Sequence, residues 1–119
     1  MKKIILAPIL LLFLIGCGTE VKSIPITEFT QADLENATLL DVRTPEEFAE
    51  GHLENAININ WYEEDFMKQI EGMPKDKTIY VYCKIGGRSG SAAELLNSSG
   101  YTAIDLEGGY DAYLAAAKN

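Results

Sequence analysis

Hydrophobic positions along the chain fall into short runs separated by polar turns, and the spacing switches between the period of a strand and that of a helix. Thr38 to Val42 (TLLDV), Ala56 to Ile59, Thr78 to Tyr82 (TIYVY) and Thr102 to Leu106 are compact and apolar, and each predicts a strand. Ile24-Pro25-Ile26 predicts a brief edge strand, where a proline without an N–H is tolerated. Helices are expected over residues 28–34, 63–70, 89–97 and 110–117, the second with Phe66, Met67 and Ile70 on one face. A short one starts at Thr44-Pro45-Glu46-Glu47, with Thr as N-cap, Pro in the first position and Glu47 reaching back, and stops at Gly51. Gly108-Gly109 reads as a turn. Strands alternating with helices predict an α/β fold, a parallel sheet covered by helices on both faces. Ligands bind such sheets at the carboxyl ends of the strands. Cys83 directly follows Thr78–Tyr82 and Asp41-Val42-Arg43 closes another strand, so both groups should emerge on one edge.

The N-terminal run breaks this pattern. Met1, Lys2 and Lys3 make a positive start, Ile4 to Ile15 (IILAPILLLFLI) are apolar, and a polar stretch begins near Cys17. This is the layout of a secretory signal, too short for a span that needs about 20 apolar residues. Leu14-Ile15-Gly16-Cys17 resembles the bacterial lipobox. The resemblance implies a signal peptide over residues 1–16, a lipidated Cys17 with a tether over 17–23, and a folded domain over 24–119. A multiply acylated Cys17 would hold that domain on a membrane, outside the cytoplasm. Gly18 lacks the Asp of inner-membrane retention, which favours the periplasmic face of the outer membrane in a two-membrane cell; in a one-membrane cell the outer face of the plasma membrane follows.

The 119 residues suit one domain, with 47% hydrophobic and 24% charged. Ten Lys and Arg stand against 18 Asp and Glu, a net charge of −8, leaving little basic surface for nucleic acid. Removing the leader takes away two Lys and deepens the charge to −10. The single histidine, His52, excludes a zinc cage that needs several His; no metal or cofactor is expected. His52, following Gly51, reads as a structural hydrogen-bonding residue. With Cys17 spent on lipid, Cys83 has no partner within the chain.

Chemistry concentrates in Cys83-Lys84-Ile85-Gly86-Gly87-Arg88-Ser89, between a strand and a helix. Two glycines let the backbone curl so that successive N–H groups face one concavity, an anion nest. The helix dipole and the charges of Lys84 and Arg88 favour a thiolate at Cys83. No His or Asp–His pair lies in the loop as a base, so activation must come from this field.

The mature chain resembles the single-domain rhodanese-like sulfurtransferases. The segments that carry the resemblance are Leu40-Asp41-Val42-Arg43, Glu46-Glu47-Phe48, Gly51-His52-Leu53, Ala56-Ile57-Asn58-Ile59, Cys83 through Ser89, Ala92-Ala93, Leu95, Gly100-Tyr101 and Leu106-Glu107-Gly108-Gly109. It implies a five-stranded, mostly parallel sheet flanked by helices on both faces. Cys83 would take a sulfane sulfur as a persulfide, ringed by the amides of Lys84, Ile85, Gly86, Gly87 and Arg88. Lys84 and Arg88 would orient a small anionic donor such as thiosulfate, with cyanide or a thiol as acceptor, while Asp41, Arg43 and Ser89 support the site. Two other readings stand beside this one. An oxyanion enzyme of related fold, a phosphatase or arsenate reductase, needs a wider cradle than the six residues from Cys83 to Arg88. A non-catalytic envelope binding module would commonly lack the Cys.

Overall fold

The computed structural model describes residues 20–118. The signal-like run and Cys17 lie outside them. Strands β1 (Lys22–Pro25), β2 (Ala37–Asp41), β3 (Ile57–Asn58), β4 (Thr78–Tyr82) and β5 (Ala103–Glu107) alternate with helices α1 (Pro45–Glu50), α2 (Phe66–Ile70), α3 (Gly87–Ser98) and α4 (Gly109–Ala117). The sheet order is β1-β5-β4-β2-β3, and every pairing is parallel, where the resemblance implied mostly parallel. The chain runs from β2 outward to β3, then returns to the other side of β2 to lay down β4 and β5. The winding thus reverses between β2 and β4, and the crevice at their carboxyl ends is where this topology places a ligand.

Alternation along the strands divides the core in two. Leu40, Val42, Ile79, Val81, Cys83 and Ala103 face α2 and α3, burying Phe66, Ile70, Ala92, Ala93 and Leu96 with them. Leu39, Tyr82 and Leu106 face the other way, against Ile26 and Leu53, with Tyr110 and Ala112 of α4 packed on this layer. Central strands covered on both sides have to be apolar throughout, which is why TLLDV and TIYVY lack the polar alternation of a half-exposed strand.

Several elements differ in kind or in extent from the sequence expectation. Lys22 and Ser23, assigned to the tether, belong to β1, paired with Ile104 and Asp105. The helix over 28–34 is replaced by two 3-10 turns, Ile26–Glu28 and Gln31–Leu34. Thr30, extended between them, donates its N–H to Asp33 at 2.8 Å and so starts a fresh cap instead of continuing a helix. Helix α2 begins only at Phe66, because the Asn60 side chain accepts the Tyr62 N–H at 3.1 Å and holds the preceding residues in turns. Helix α3 starts two residues earlier than expected, placing Ser89 inside its first turn.

Candidate active site

Cys83 directly follows β4 and is 1% exposed, its thiol free and beneath the loop that leads into α3. Gly86 precedes α3 with φ +128°, a conformation that disfavours any side chain. That twist turns the Gly86 N–H onto Cys83 Sγ at 3.0 Å. Ser89, fully buried, meets the sulfur from the first turn of the helix: the thiol lies 3.3 Å from Ser89 Oγ, which donates to the Gly86 carbonyl at 3.1 Å. The sulfur therefore has an aimed amide, a hydroxyl and the positive end of a twelve-residue helix around it.

The strand end is clamped from behind by α4. Tyr110 N–H donates to the Cys83 carbonyl at 2.8 Å and Asp111 N–H to the Lys84 carbonyl at 3.0 Å. This approach depends on Gly109: a Cβ there would stand 2.7 Å from the Cys83 carbonyl oxygen and closer still to that of Lys84. The Gly108-Gly109 segment is thus both the turn expected from sequence and the contact that fixes the loop's first residue.

Both loop cations are committed to carboxylates. Arg88 grips Glu47 with two hydrogen bonds, at 2.6 and 2.9 Å, and lies 5.6 Å from the Tyr62 ring centre. The guanidinium holds the Glu47 carboxyl down to about 2, with the Thr44 hydrogen bonds adding to the effect against the cost of burial. Lys84 pairs with Asp111 at 2.8 Å on the surface. Ile85 is 71% exposed, so its side chain leaves the loop toward solvent.

Asp41 and Arg43 form a buried pair on the opposite side of the sheet from Cys83. Arg43 binds Asp41 through Nε and Nη2, the latter at 2.7 Å, and donates a further bond to the Gly51 carbonyl. Its guanidinium lies 4.3 Å over the Tyr110 ring. Asn58 donates to the carbonyls of both Asp41 and Arg43, joining β3 to the same strut. Arg43 thereby ties β2, the end of α1 and the start of α4 together. His52 Nδ1–H donates to the Phe48 carbonyl at 3.0 Å and the ring stacks on that of Phe48.

The structure thus brings Cys83, Gly86 and Ser89 into direct contact and sets Arg88 beside them, while Asp41 and Arg43 act as framework. Among the described residues no group of three or more His, Cys, Asp or Glu is placed to hold a metal. Glu47 and Asp111 were missed as site residues. The Thr44–Glu47 capping box is visible in sequence, but its link to Arg88 spans 41 positions and follows only from α1 and α3 meeting over the same strand ends.

Comparison with known proteins agrees with this geometry. The rhodanese-like domain family matches residues 28–116. The chain is 36% identical over 108 residues to thiosulfate sulfurtransferase 16 of Arabidopsis thaliana, covering 82% of this chain and 88% of that protein. It is 39% identical over 70 residues to the thiosulfate sulfurtransferase PspE of Escherichia coli, covering 59% and 67% respectively. The crystal structure of a rhodanese-related protein from Thermoplasma volcanium superposes with a TM-score of 0.71 at 30% identity, over 80% of this chain and 92% of that one. With the matched region reaching from before β2 into α4 and the Cys83 loop within it, the chain belongs to the rhodanese-like sulfurtransferases.

Proposed function

We propose that this protein carries sulfane sulfur from thiosulfate to cyanide or a thiol by way of a persulfide on Cys83. The observation that carries the proposal is the Gly86 N–H, held 3.0 Å from Sγ inside a six-residue loop that heads a helix. In the first step the Cys83 thiolate attacks the outer sulfur of thiosulfate. The S–S bond of the donor breaks, sulfite leaves with its electron pair, and Cys83 becomes a persulfide anion. The Gly86 N–H and the positive end of α3 face that charge in the enclosed site. In the second step cyanide attacks the terminal sulfur, thiocyanate departs, and the thiolate returns. Arg88 and Lys84 stand on either side of the loop, and in this reading they share their charge between the carboxylates they hold and the sulfonate end of the donor.

Two half-reactions through one covalent intermediate produce parallel double-reciprocal lines when thiosulfate and cyanide are varied against thiocyanate formation. Parallel lines are the expected result. Intersecting lines would mean direct transfer in a ternary complex and would remove the Cys83 intermediate from the scheme.

A further inference from the structure

One buried ionisable group near the sulfur has no part in that scheme. Asp105 in β5 is 8% exposed, and its Oδ1 is buried without a hydrogen-bond partner. It stands beside Val81 in the register of β4, two residues before Cys83 and on the same face of the sheet. Its carboxylate lies against the first turn of α3, where a Cβ on Gly90 would be 3.8 Å from Oδ2. Burial pushes the Asp105 carboxyl up, the neighbouring Ser89 hydroxyl works against that, and Glu107 on the same strand adds to the rise. Ser23 of β1 stands beside Asp105 in the register and donates to Glu107 at 2.8 Å, and Arg88 is the cation facing Cys83.

Ser89 has a single hydroxyl hydrogen, with the Gly86 carbonyl and Cys83 Sγ in its reach and the Asp105 carboxylate against the same turn of α3. With Cys83 as a thiol it is given to the Gly86 carbonyl, while Ser89 Oγ lies 3.3 Å from the thiol. A thiolate or persulfide anion needs the same hydrogen turned toward sulfur. An ionised Asp105 competes for it and adds a like charge; a protonated Asp105 does neither.

We propose that Asp105 is a positioning residue that sets the pH at which Cys83 reacts, acting through the Ser89 hydroxyl. Ionised, it holds the hydroxyl away from the sulfur and favours the thiol; protonated or replaced by an amide, it releases the hydroxyl to the thiolate. This rests on Cys83 being the reactive thiol, and it is independent of which donor and acceptor the enzyme uses.

The test is the rate of Cys83 carbamidomethylation by iodoacetamide, followed by intact mass between about pH 5 and 10. Asp105→Asn should move the midpoint of the profile down by about half a pH unit or more, making the thiol roughly threefold more reactive on the rising limb. In a Ser89→Ala background the same substitution should shift the midpoint by less than half as much. Asp105→Ser, smaller than the native side chain, should reproduce the downward shift if the amide disturbs packing. An unchanged or raised midpoint in both Asp105 variants overturns the proposal, as does an equal shift with and without Ser89. Alkylation does not require sulfur transfer, so a failure here is separable from a failure to form the persulfide.

Discussion

At the scale of single residues, Arg88 carries the sharpest question, because its charge is already engaged by Glu47. If it also binds the donor, Arg88→Ala should lower kcat/KM for thiosulfate by about tenfold or more, roughly 1.4 kcal/mol of transition-state stabilisation. The cost in folding stability should stay near 1 kcal/mol or less, since the pair is partly exposed. Arg88→Lys should recover only part of the rate, because an ammonium cannot hold Glu47 with two parallel bonds. A rate loss no larger than the stability loss explains would make Arg88 a strut only. The Asp41–Arg43 pair behaves in the opposite way. Asp41 is 0% and Arg43 4% exposed in its side chain, and Arg43→Ala leaves a carboxylate enclosed without its partner. That substitution should cost about 3–5 kcal/mol in denaturant unfolding while the sulfur chemistry of whatever remains folded is retained.

At the scale of elements, α1 and α3 are joined at their N-termini by Glu47, which closes the Thr44 capping box and binds Arg88 with the same carboxylate. Folded Glu47 holds its proton less tightly than the 4.5 of an unperturbed carboxyl, so on acidification the unfolded state takes up the proton first. The stabilisation is full above about pH 4.5 and is lost as the pH falls toward 2. Unfolding midpoints across this window should fall more steeply for the wild type than for Glu47→Gln; equal slopes would contradict the link. The two glycine positions also separate. Gly86→Ala meets no atom within 4 Å and suffers only its φ of +128°, a cost of about 1–2 kcal/mol. Gly109→Ala also collides with the backbone carbonyls of Cys83 and Lys84, and should lower the melting temperature further. The reverse order would remove α4 as the clamp on the loop.

These elements show what the sequence makes legible. Cys83 at the end of TIYVY, the glycines after it and the Thr44-Pro45 helix start are local signals, and each sits where its local chemistry places it. The helix expected over 28–34 gives way to two 3-10 turns because the cap at Thr30 competes with a continuous helix. The α4 amides on the Cys83 and Lys84 carbonyls, and Glu47 beneath Arg88, depend on strand order, which no window of neighbouring residues contains.

At the scale of the whole molecule, a chain of net charge −8 concentrates its catalytic features at the carboxyl edge of one sheet, where the winding reverses between β2 and β4. If the Leu14–Cys17 segment is a lipidation signal, this domain works from a membrane surface. Cys17→Ala should then move the protein from the membrane fraction to the soluble one, or leave a precursor that keeps its leader; wild-type protein found wholly in the soluble fraction would count against anchoring. The most direct test of the central claim is the intact mass of the protein after incubation with thiosulfate. The account predicts a gain of one sulfur atom, removed by cyanide and absent from Cys83→Ser. No gain with thiosulfate, together with hydrolysis of an aryl phosphate by the same preparation, would contradict it.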